Sequence, residues 1–335
     1  MSESKSESRK LTSTHGPREF KTSVLEKLDL LGKKYEAMGQ DLDAYVEGLL
    51  HADFLTYWDY VNLDTLLSLQ QPKTPFPDEE IFIIYHQTTE LYFKLALHEL
   101  RQLNEIGTPN GKQMLRCATR VNRYFKILTD SFDVMIDGME RSQFLQFRMS
   151  LLPSSGFQSG QYRFIEVACT SFDRLMTAEK KEAKAGHAVE DVAGMYEDLY
   201  WRRGAVELAS GKSTLTLRQF EDKYRGQIIE LAEERHATNL NTLLMGLPEG
   251  ERSAELIAAL RMLDAQINVN WPLSHYRSAV KYLQRNPVDI AATGGTNWQK
   301  YLPPRFQKCI FFPSLWTDEE QAEWGKAWVN EQVGG

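Results

Sequence analysis

The amino-acid sequence predicts an all-α fold for this chain of 335 residues. Beyond residue 20, apolar residues recur at steps of three and four through most of the chain, which is the period of amphipathic helices. Few stretches show the alternation of apolar and polar residues that marks a half-buried strand. No similarity recurs at intervals of about 20 to 50 residues, so an array of repeats is not predicted.

Composition and charge narrow the possible partners. Hydrophobic residues make up 42% of the chain and charged residues 25%, as in globular proteins. No apolar run approaches the roughly 18 residues that a membrane span needs. The net charge of −7 offers no basic field for nucleic acid. We therefore expect a small-molecule partner, with no nucleic acid and no membrane.

The chain is predicted to consist of a tail and one domain. Residues 1–20 are polar and carry several glutamates, without the apolar stretch of a secretory signal, so we expect a disordered tail in a cytoplasmic protein. Residues 21–335 are predicted to form a single helical domain. Cys117, Cys169 and Cys309 lie far apart, without metal-binding spacing, and are expected to be buried reduced thiols.

The first two clear helices follow from the apolar spacing. The earlier one is predicted from Val24, Leu25, Leu28, Leu31 and Tyr35. The later one contains "FIIYHQTTELYFKLALHEL", residues 82–100. Its start is placed near Pro77, because the three acidic residues at positions 78–80 suit the positive end of a helix dipole.

The remaining helices are predicted with breaks between them. The periodic pattern at residues 110–148 would be roughly 55 Å long as one helix, so a bend or break is expected. It ends in the turn-rich "LLPSSGFQSGQ", and "QYRFIEVACTSFDRLM" follows as a helix. Residues 177–255, with charged runs around weaker patterns, are interpreted as a small inserted helical subdomain. Pro272 is predicted to end one helix and begin another, which carries His275.

The helix at residues 82–100 has more apolar positions than one buried face needs. Phe82, His86 and Glu90 share one stripe, and Ile84 and Leu91 belong to a neighbouring stripe. We expect such a helix to be buried, so His86 needs a partner, because an unmet buried polar group costs about 1–3 kcal/mol. His86 is either a core histidine bonded to a backbone carbonyl or part of a pocket, and the periodicity leaves both open.

Two further stretches are candidates for ligand binding. Arg148 ends an apolar helix before a loop, where a guanidinium can bind a carboxylate through two parallel hydrogen bonds. The alternative is a surface or capping arginine. Later, "WPLSHYRSAV" is followed by "AATGGTNW", whose backbone amides and the hydroxyls of Thr293 and Thr296 suit a polar ligand. The alternative for that stretch is an ordinary loop.

Signatures of other enzyme classes are incomplete. "SGKST", residues 210–214, resembles the end of a phosphate loop, but Val206 stands at the earlier position where that loop needs a glycine. In "GFQSG", residues 156–160, the serine is one position away from its place in a nucleophile elbow. Gln102 stands where a zinc-protease helix would need a second histidine. No GxGxxG is found, so neither nicotinamide nor flavin is indicated.

A resemblance to the tryptophan 2,3-dioxygenase family of haem enzymes rests on three stretches in this order: the helix with His86, the stretch with Arg148, and the late "WPLSHYRSAV" with "AATGGTNW". The family's "YxxYLxLDxLLxxQ" is matched from Tyr57, its "HQxxELxFK" at residues 86–94, and its "FRxxLxPxSGFQSxQ(F/Y)R" at residues 147–163. The "TGG" that follows the late histidine is at residues 293–295. The resemblance covers most of the chain outside the tail and residues 177–255.

The resemblance implies a helical-bundle haem domain that holds haem b non-covalently, usually in a homotetramer arranged as a dimer of dimers. By position, His275 would be the proximal ligand of the haem iron. Other residues at the cofactor would be Trp271, Ser155 and Gly156. His86 would lie on the distal side, near the indole N–H of the substrate.

For the substrate, the resemblance implies L-tryptophan. Arg148 would bind its carboxylate, and Thr293 its ammonium together with a haem propionate. The indole pocket would be walled by Phe82, Leu151, Tyr57 and Tyr60. Of these, Tyr57 and Tyr60 would reach in from a neighbouring subunit. The stretch "ATGGTNW" departs from the family's "GTGGSSG", which affects the ammonium end of the pocket.

The implied reaction is cleavage of the indole C2–C3 bond with O2 to give N-formyl-L-kynurenine, the first step of tryptophan catabolism by the kynurenine route. One alternative is a related haem-dependent monooxygenase or peroxygenase acting on a modified tryptophan or tyrosine. Another is a haem or tryptophan sensor without activity. Phe82, Arg148 and the complete "SGFQS" favour the dioxygenase.

Overall fold

The computed structural model describes residues 20–184, 192–203, 205, 212–285, 299 and 302–326. Regular structure in these ranges is helical, and β structure there is limited to an isolated bridge between Met176 and Leu199. The predicted all-α fold is therefore confirmed. Among the helices described, none combines the length and apolar character that crossing a membrane requires. Residues 1–19 of the predicted tail and the whole "ATGGTNW" stretch lie outside the described ranges.

The chain divides into two compact units, residues 1–69 and residues 70–335. The helices of the first unit are α1 (Thr22–Ala37), α2 (Leu42–Leu50), α3 (Tyr57–Tyr60) and α4 (Leu63–Leu66). Helices α1 and α2 pack together, with the rings of Tyr35 and Tyr45 5.2 Å apart. None of the residues described in this unit is buried, and the apolar side chains that predicted α1 are mostly exposed.

The second unit holds the remaining helices. They are α5 (Asp78–Glu105), α6 (Gly111–Ser131), α7 (Asp133–Ile136), α8 (Arg141–Phe147), α9 (Gly160–Cys169), α10 (Ala178–Lys184), α11 (Val192–Tyr196), α12 (Tyr200–Arg203), α13 (Leu215–Arg235), α14 (Leu240–Gly246), α15 (Ala254–Ala265), α16 (Trp271–Leu283), α17 (Pro304–Gln307) and α18 (Asp318–Ala322). Short 3₁₀ helices span Arg148–Leu151, Gly156–Gln158, Phe172–Leu175, Glu249–Glu251 and Pro313–Leu315, and a π-helix spans Gln266–Asn270.

The core of the second unit lies where its longest helices meet. Helix α5 packs against α6 and α9, α6 packs against α15, and α9 packs against α13. Aromatic and aliphatic side chains such as Phe93, Phe125 and Leu260 are buried between them. The three cysteines are buried and free, as predicted. Residues 177–255 fall within this unit, and their status as an inserted subdomain stays a prediction.

Helix α5 begins at Asp78, directly after Pro77, as predicted. The expectation that the whole helix is buried is wrong. Its second apolar stripe is open to solvent, with Ile84 46%, Leu91 49% and Leu95 42% exposed. The reason is that α6 and α9 cover only the side of α5 that carries residues such as Phe93 and Ala96.

The long pattern at residues 110–148 is broken, as expected. Helix α6 ends at Ser131, and the shorter α7 and α8 complete the segment. The start of α6 is fixed by a capping box between Asn110 and Gln113. Gly111 approaches the backbone of Glu251 so closely that an added Cβ would lie 2.1 Å from the carbonyl oxygen of Glu251.

The prediction that Pro272 ends a helix is wrong. The chain stays helical from α15 through the π-helix Gln266–Asn270 into α16. A proline lacks the N–H of a regular helical bond, and its ring presses on the carbonyl four residues back. The wider π turn directly before Pro272 accommodates both effects, so the helix changes pitch instead of stopping.

Candidate functional site

A cavity of about 300 Å³ lies in the second unit, within the usual size range of small-molecule sites. Its walls come from α5, α9 and α16, the segment between α8 and α9, and residues around α17. Most lining side chains are aromatic or aliphatic. The predicted site residues that line it are Phe82, His86, Leu151, Ser155, Gly156, Trp271 and His275. The fold thus brings together residues almost 200 positions apart.

His86 enters the cavity from α5. Its Nδ1 lies 2.7 Å from the carbonyl oxygen of Phe82, and since a carbonyl can only accept, Nδ1 carries the proton. In the neutral ring, Nε2 is then an acceptor. Burial lowers the pKa of His86 below its usual 6.5, which favours that neutral form. Both readings of the sequence therefore hold, because His86 bonds a backbone carbonyl and also lines a pocket.

His275 enters the cavity from α16. Its ring packs edge-on against Phe132, at 5.1 Å between centroids, and against Trp271, at 5.8 Å. Burial, assisted by the nearby His86, lowers the pKa of His275 to about 4, so the imidazole is neutral. Within the described part of the chain, neither ring nitrogen has a hydrogen-bond partner. A neutral, half-buried imidazole of this kind has a lone pair available for a metal.

The loop between α8 and α9 runs beside His275. A Cβ placed on Gly156 would lie 3.7 Å from both Cε1 and Nε2 of the His275 ring. The loop is held in shape by the side chain of Gln158, which accepts from the backbone N–H of Ser155 at 3.2 Å and donates to the carbonyl of Thr216 at 3.1 Å. These bonds fix the cavity wall that Ser155 and Gly156 form.

Arg148 is the first residue of the 3₁₀ helix Arg148–Leu151, and its side chain is buried. The alternative of a surface arginine is therefore wrong. Burial lowers the pKa of its guanidinium. Its neighbours in sequence reach the site, since Phe147 contacts the ring of Phe82 and Leu151 lines the cavity. Arg148 itself is not among the described lining residues, so its contact with a ligand stays a prediction.

Three other predicted substrate residues are not among the described residues that line this cavity. Tyr57 and Tyr60 lie on α3 of the first unit and are 70% and 76% exposed. Thr293 lies outside the described residues. The assignments of all three residues stay predictions.

The cavity also has walls that the sequence reasoning missed. Arg163 donates from Nη1 to Glu166, at 2.8 Å, and to the hydroxyl of Tyr200, at 3.0 Å, and Tyr200 in turn donates to Glu166. Arg163, Tyr200 and Tyr162 all line the cavity. Tyr162 and Arg163 stand in the matched "GFQSGQYR", which was a usable signal. Tyr200 lies in residues 177–255, where no pattern marked it.

Comparison with known proteins places these motifs in a family. A family model described as tryptophan 2,3-dioxygenase matches residues 46–184. A tryptophan 2,3-dioxygenase of Anaeromyxobacter sp. (strain K) is 40% identical over 278 residues, which are 79% of this chain and 96% of the relative. One from Bradyrhizobium sp. (strain BTAi1 / ATCC BAA-1182) is 42% identical over 272 residues, covering 78% and 91% of the two chains. A third, from Ruegeria sp. (strain TM1040), is 46% identical over 139 residues, covering 41% and 50%.

Proposed function

The chain belongs to the tryptophan 2,3-dioxygenase family, and from this premise we propose that it is a haem-dependent dioxygenase that cleaves the indole C2–C3 bond of L-tryptophan with O2 to give N-formyl-L-kynurenine. The observation that carries the proposal is a pair of half-buried neutral imidazoles on one largely apolar cavity. His86 is bonded to a backbone carbonyl, whereas His275 is without a hydrogen bond to the described residues.

The residues present fit haem b. His275 supplies one nitrogen, so an iron bound there needs its remaining ligands from a macrocycle, and the aromatic edges of Phe132 and Trp271 hold the imidazole in one orientation. Backbone at Gly156 without a side chain suits a flat cofactor beside that ring. When bound, ferrous haem supplies an open coordination position where O2 becomes reactive toward the electron-rich indole.

The chain's own residues bind and orient the substrate in this proposal. Nε2 of His86 accepts the indole N–H, and the bond from Nδ1 to Phe82 keeps the ring in the tautomer that can do so. We regard His86 as a positioning group more than an essential base. The apolar walls exclude water from the reacting ring.

The residues that bind the carboxylate and ammonium groups of the substrate are proposed from the family motifs. Arg148 binds the carboxylate, and Thr293 binds the ammonium. A buried guanidinium supports the first assignment, because it pairs with a carboxylate in surroundings of low dielectric constant. No observation favours the alternative of a monooxygenase or peroxygenase over the dioxygenase. The labelling experiment below distinguishes the two reactions.

We further propose a cytoplasmic homotetramer. Assembly is supported by exposed apolar side chains of residues 20–69 in the first unit and, separately, by those of the second stripe of α5 in the second unit, since exposed apolar surface can mark interaction sites. Tyr57 and Tyr60 then complete the indole pocket of a neighbouring subunit. Free buried cysteines support a reducing compartment.

The test is to express the full chain with ample iron and haem precursor, measure the Soret band, and supply L-tryptophan with ¹⁸O₂ under reducing conditions. We expect stoichiometric haem and N-formylkynurenine that carries two labelled oxygen atoms. His275→Ala should lose haem while remaining folded, whereas His98→Ala, at an exposed position of α5, should keep it.

Three results would contradict the proposal. Colourless wild-type protein would remove the haem assignment, and normal haem retention in His275→Ala would remove the proximal ligand. A product that carries one labelled oxygen would indicate the monooxygenase alternative instead of the dioxygenase.

A further inference from the structure

A buried carboxylate lies just before the π-helix that leads to His275. Asp264, near the end of α15, has no exposed surface and accepts four hydrogen bonds. Two come from consecutive backbone N–H groups, those of Phe311 at 2.9 Å and Phe312 at 3.1 Å, and a third comes from Nε1 of Trp316 at 3.0 Å. The fourth comes from Nδ2 of Asn268 at 2.8 Å. Asp264 therefore joins the π-helix to the segment at residues 311–316.

Asn268 connects this carboxylate to the cavity. It is buried within the π-helix Gln266–Asn270, and it lines the cavity together with Trp271, Pro272 and His275. A second hydrogen bond reaches the same turn from α9, where the hydroxyl of Tyr162 donates to the carbonyl of Ile267 at 2.9 Å. The π turn is thus held by side chains on both sides of it.

The pitch of this turn decides where His275 faces. A π turn contains one residue more than an α turn, so α16 is rotated by about 100° relative to a straight continuation of α15. His275 follows the turn by five positions, with only regular helix between them. If the turn relaxed to α geometry, His275 would face a different side of the helix and no longer the cavity.

We propose that Asp264 and Asn268 are positioning residues for His275: their hydrogen bond holds the π turn that directs the imidazole into the cavity. This inference rests on the proposed function, in which His275 binds the haem iron. Neither residue is assigned by the family motifs matched above. Asp264 has no contact with the cavity and acts through Asn268, and Asn268 acts through the helix that carries His275.

The test compares two asparagines, the buried Asn268 and the half-buried Asn122, on haem-loaded ferrous protein. Asn268→Leu removes the bond to Asp264 and keeps the branched arrangement of the side-chain heavy atoms. The matched control is Asn122→Leu, which removes a bond from Asn122 on α6 to the carbonyl of Ala259 on α15, 2.8 Å long, away from the π turn. The measurements are the iron–histidine stretching band by resonance Raman spectroscopy, haem affinity, and the thermal midpoint.

We expect Asn268→Leu to shift the iron–histidine band and to lower haem affinity, and Asn122→Leu to lower the thermal midpoint with the band at its wild-type position. Tyr162→Phe, which removes the other bond to the turn and keeps the ring, should shift the band in a milder way. If Asn268→Leu does not fold, the position of the iron–histidine band in Tyr162→Phe tests the inference instead.

An unshifted band in both Asn268→Leu and Tyr162→Phe would overturn the inference, as would an equal shift in Asn122→Leu. Failure of the proposed function is distinguishable from these results, because it would show as wild-type protein without haem.

Discussion

His86 is held in a defined protonation state by its surroundings. The carbonyl of Phe82 fixes the proton on Nδ1, and burial outweighs the opposing influence of Glu90, so the pKa of His86 is lowered. The acceptor on Nε2 is therefore present at pH 6.5 and is lost only when the pH falls below the lowered pKa.

From this we predict that kcat/KM for tryptophan has no acid limb caused by His86 between about pH 6.5 and 8. The measurement is the pH profile of wild type beside His86→Gln, whose amide does not titrate. A limb with a midpoint at or above pH 6.5 that disappears in His86→Gln would contradict the prediction.

Arg148 is a buried charged residue that we propose binds the carboxylate of the substrate, as the matched family motif implies. Arg148→Leu is expected to raise the KM for tryptophan about a hundredfold, which is about 2.7 kcal/mol, because the substrate carboxylate would lose its partner. The control is Arg141→Leu, at an exposed position of α8, the helix that directly precedes Arg148, and it should leave KM unchanged. Steady-state kinetics at several tryptophan concentrations provide the comparison, and an unchanged KM in Arg148→Leu would discard the assignment.

Among the helices, α6 shows how close packing limits substitution. Gly111→Ala would bring a Cβ to 2.1 Å from the carbonyl oxygen of Glu251, and backbone must move to relieve that contact. We predict a loss of about 1–3 kcal/mol of unfolding free energy. Gly226→Ala in α13 has no neighbour within 4 Å of the added Cβ and should gain about 0.5–1 kcal/mol from helix propensity. Urea denaturation of both variants measures the difference, and equal effects would contradict it.

Helix positions could be predicted from periodicity, but which side of a helix is covered could not. The start of α5 near Pro77 followed from local chemistry, whereas the exposure of Ile84 and Leu91 depends on helices that are distant in sequence. At Pro272 the local rule was overridden, because a π turn resolved the conflict that normally ends a helix.

Some residues of the candidate site could be predicted from the sequence, and others could not. His86 and His275 were found through motifs, and the structure brings both to one cavity. Tyr200 carries no local signal, since its contact with Glu166 joins residues 34 positions apart. Asn268 bonds a residue only four positions away, but its role depends on the π turn, which the periodicity did not predict.

For the molecule as a whole, many apolar side chains of residues 20–69 are exposed, which supports the proposed homotetramer. If Tyr57 serves a neighbouring subunit, mixed assemblies of Tyr57→Ala and Arg148→Leu chains contain some sites with both defects and some with none. We predict that co-expression gives activity above that of either variant alone. Activity equal to the average of the two variants would place Tyr57 in the site of its own subunit.

Helix α5 has two different sides: His86 and Phe82 line the cavity, while Ile84, Leu91 and Leu95 are open to solvent. A partner that covers the exposed side of α5 would contact the same helix that carries His86. If binding in the cavity changes the position of α5, occupancy of the cavity and occupancy of the outer stripe are thermodynamically linked, and each changes the affinity of the other by the same factor. In the proposed homotetramer, saturation curves would then depend on protein concentration, with a Hill coefficient that changes as the sample is diluted.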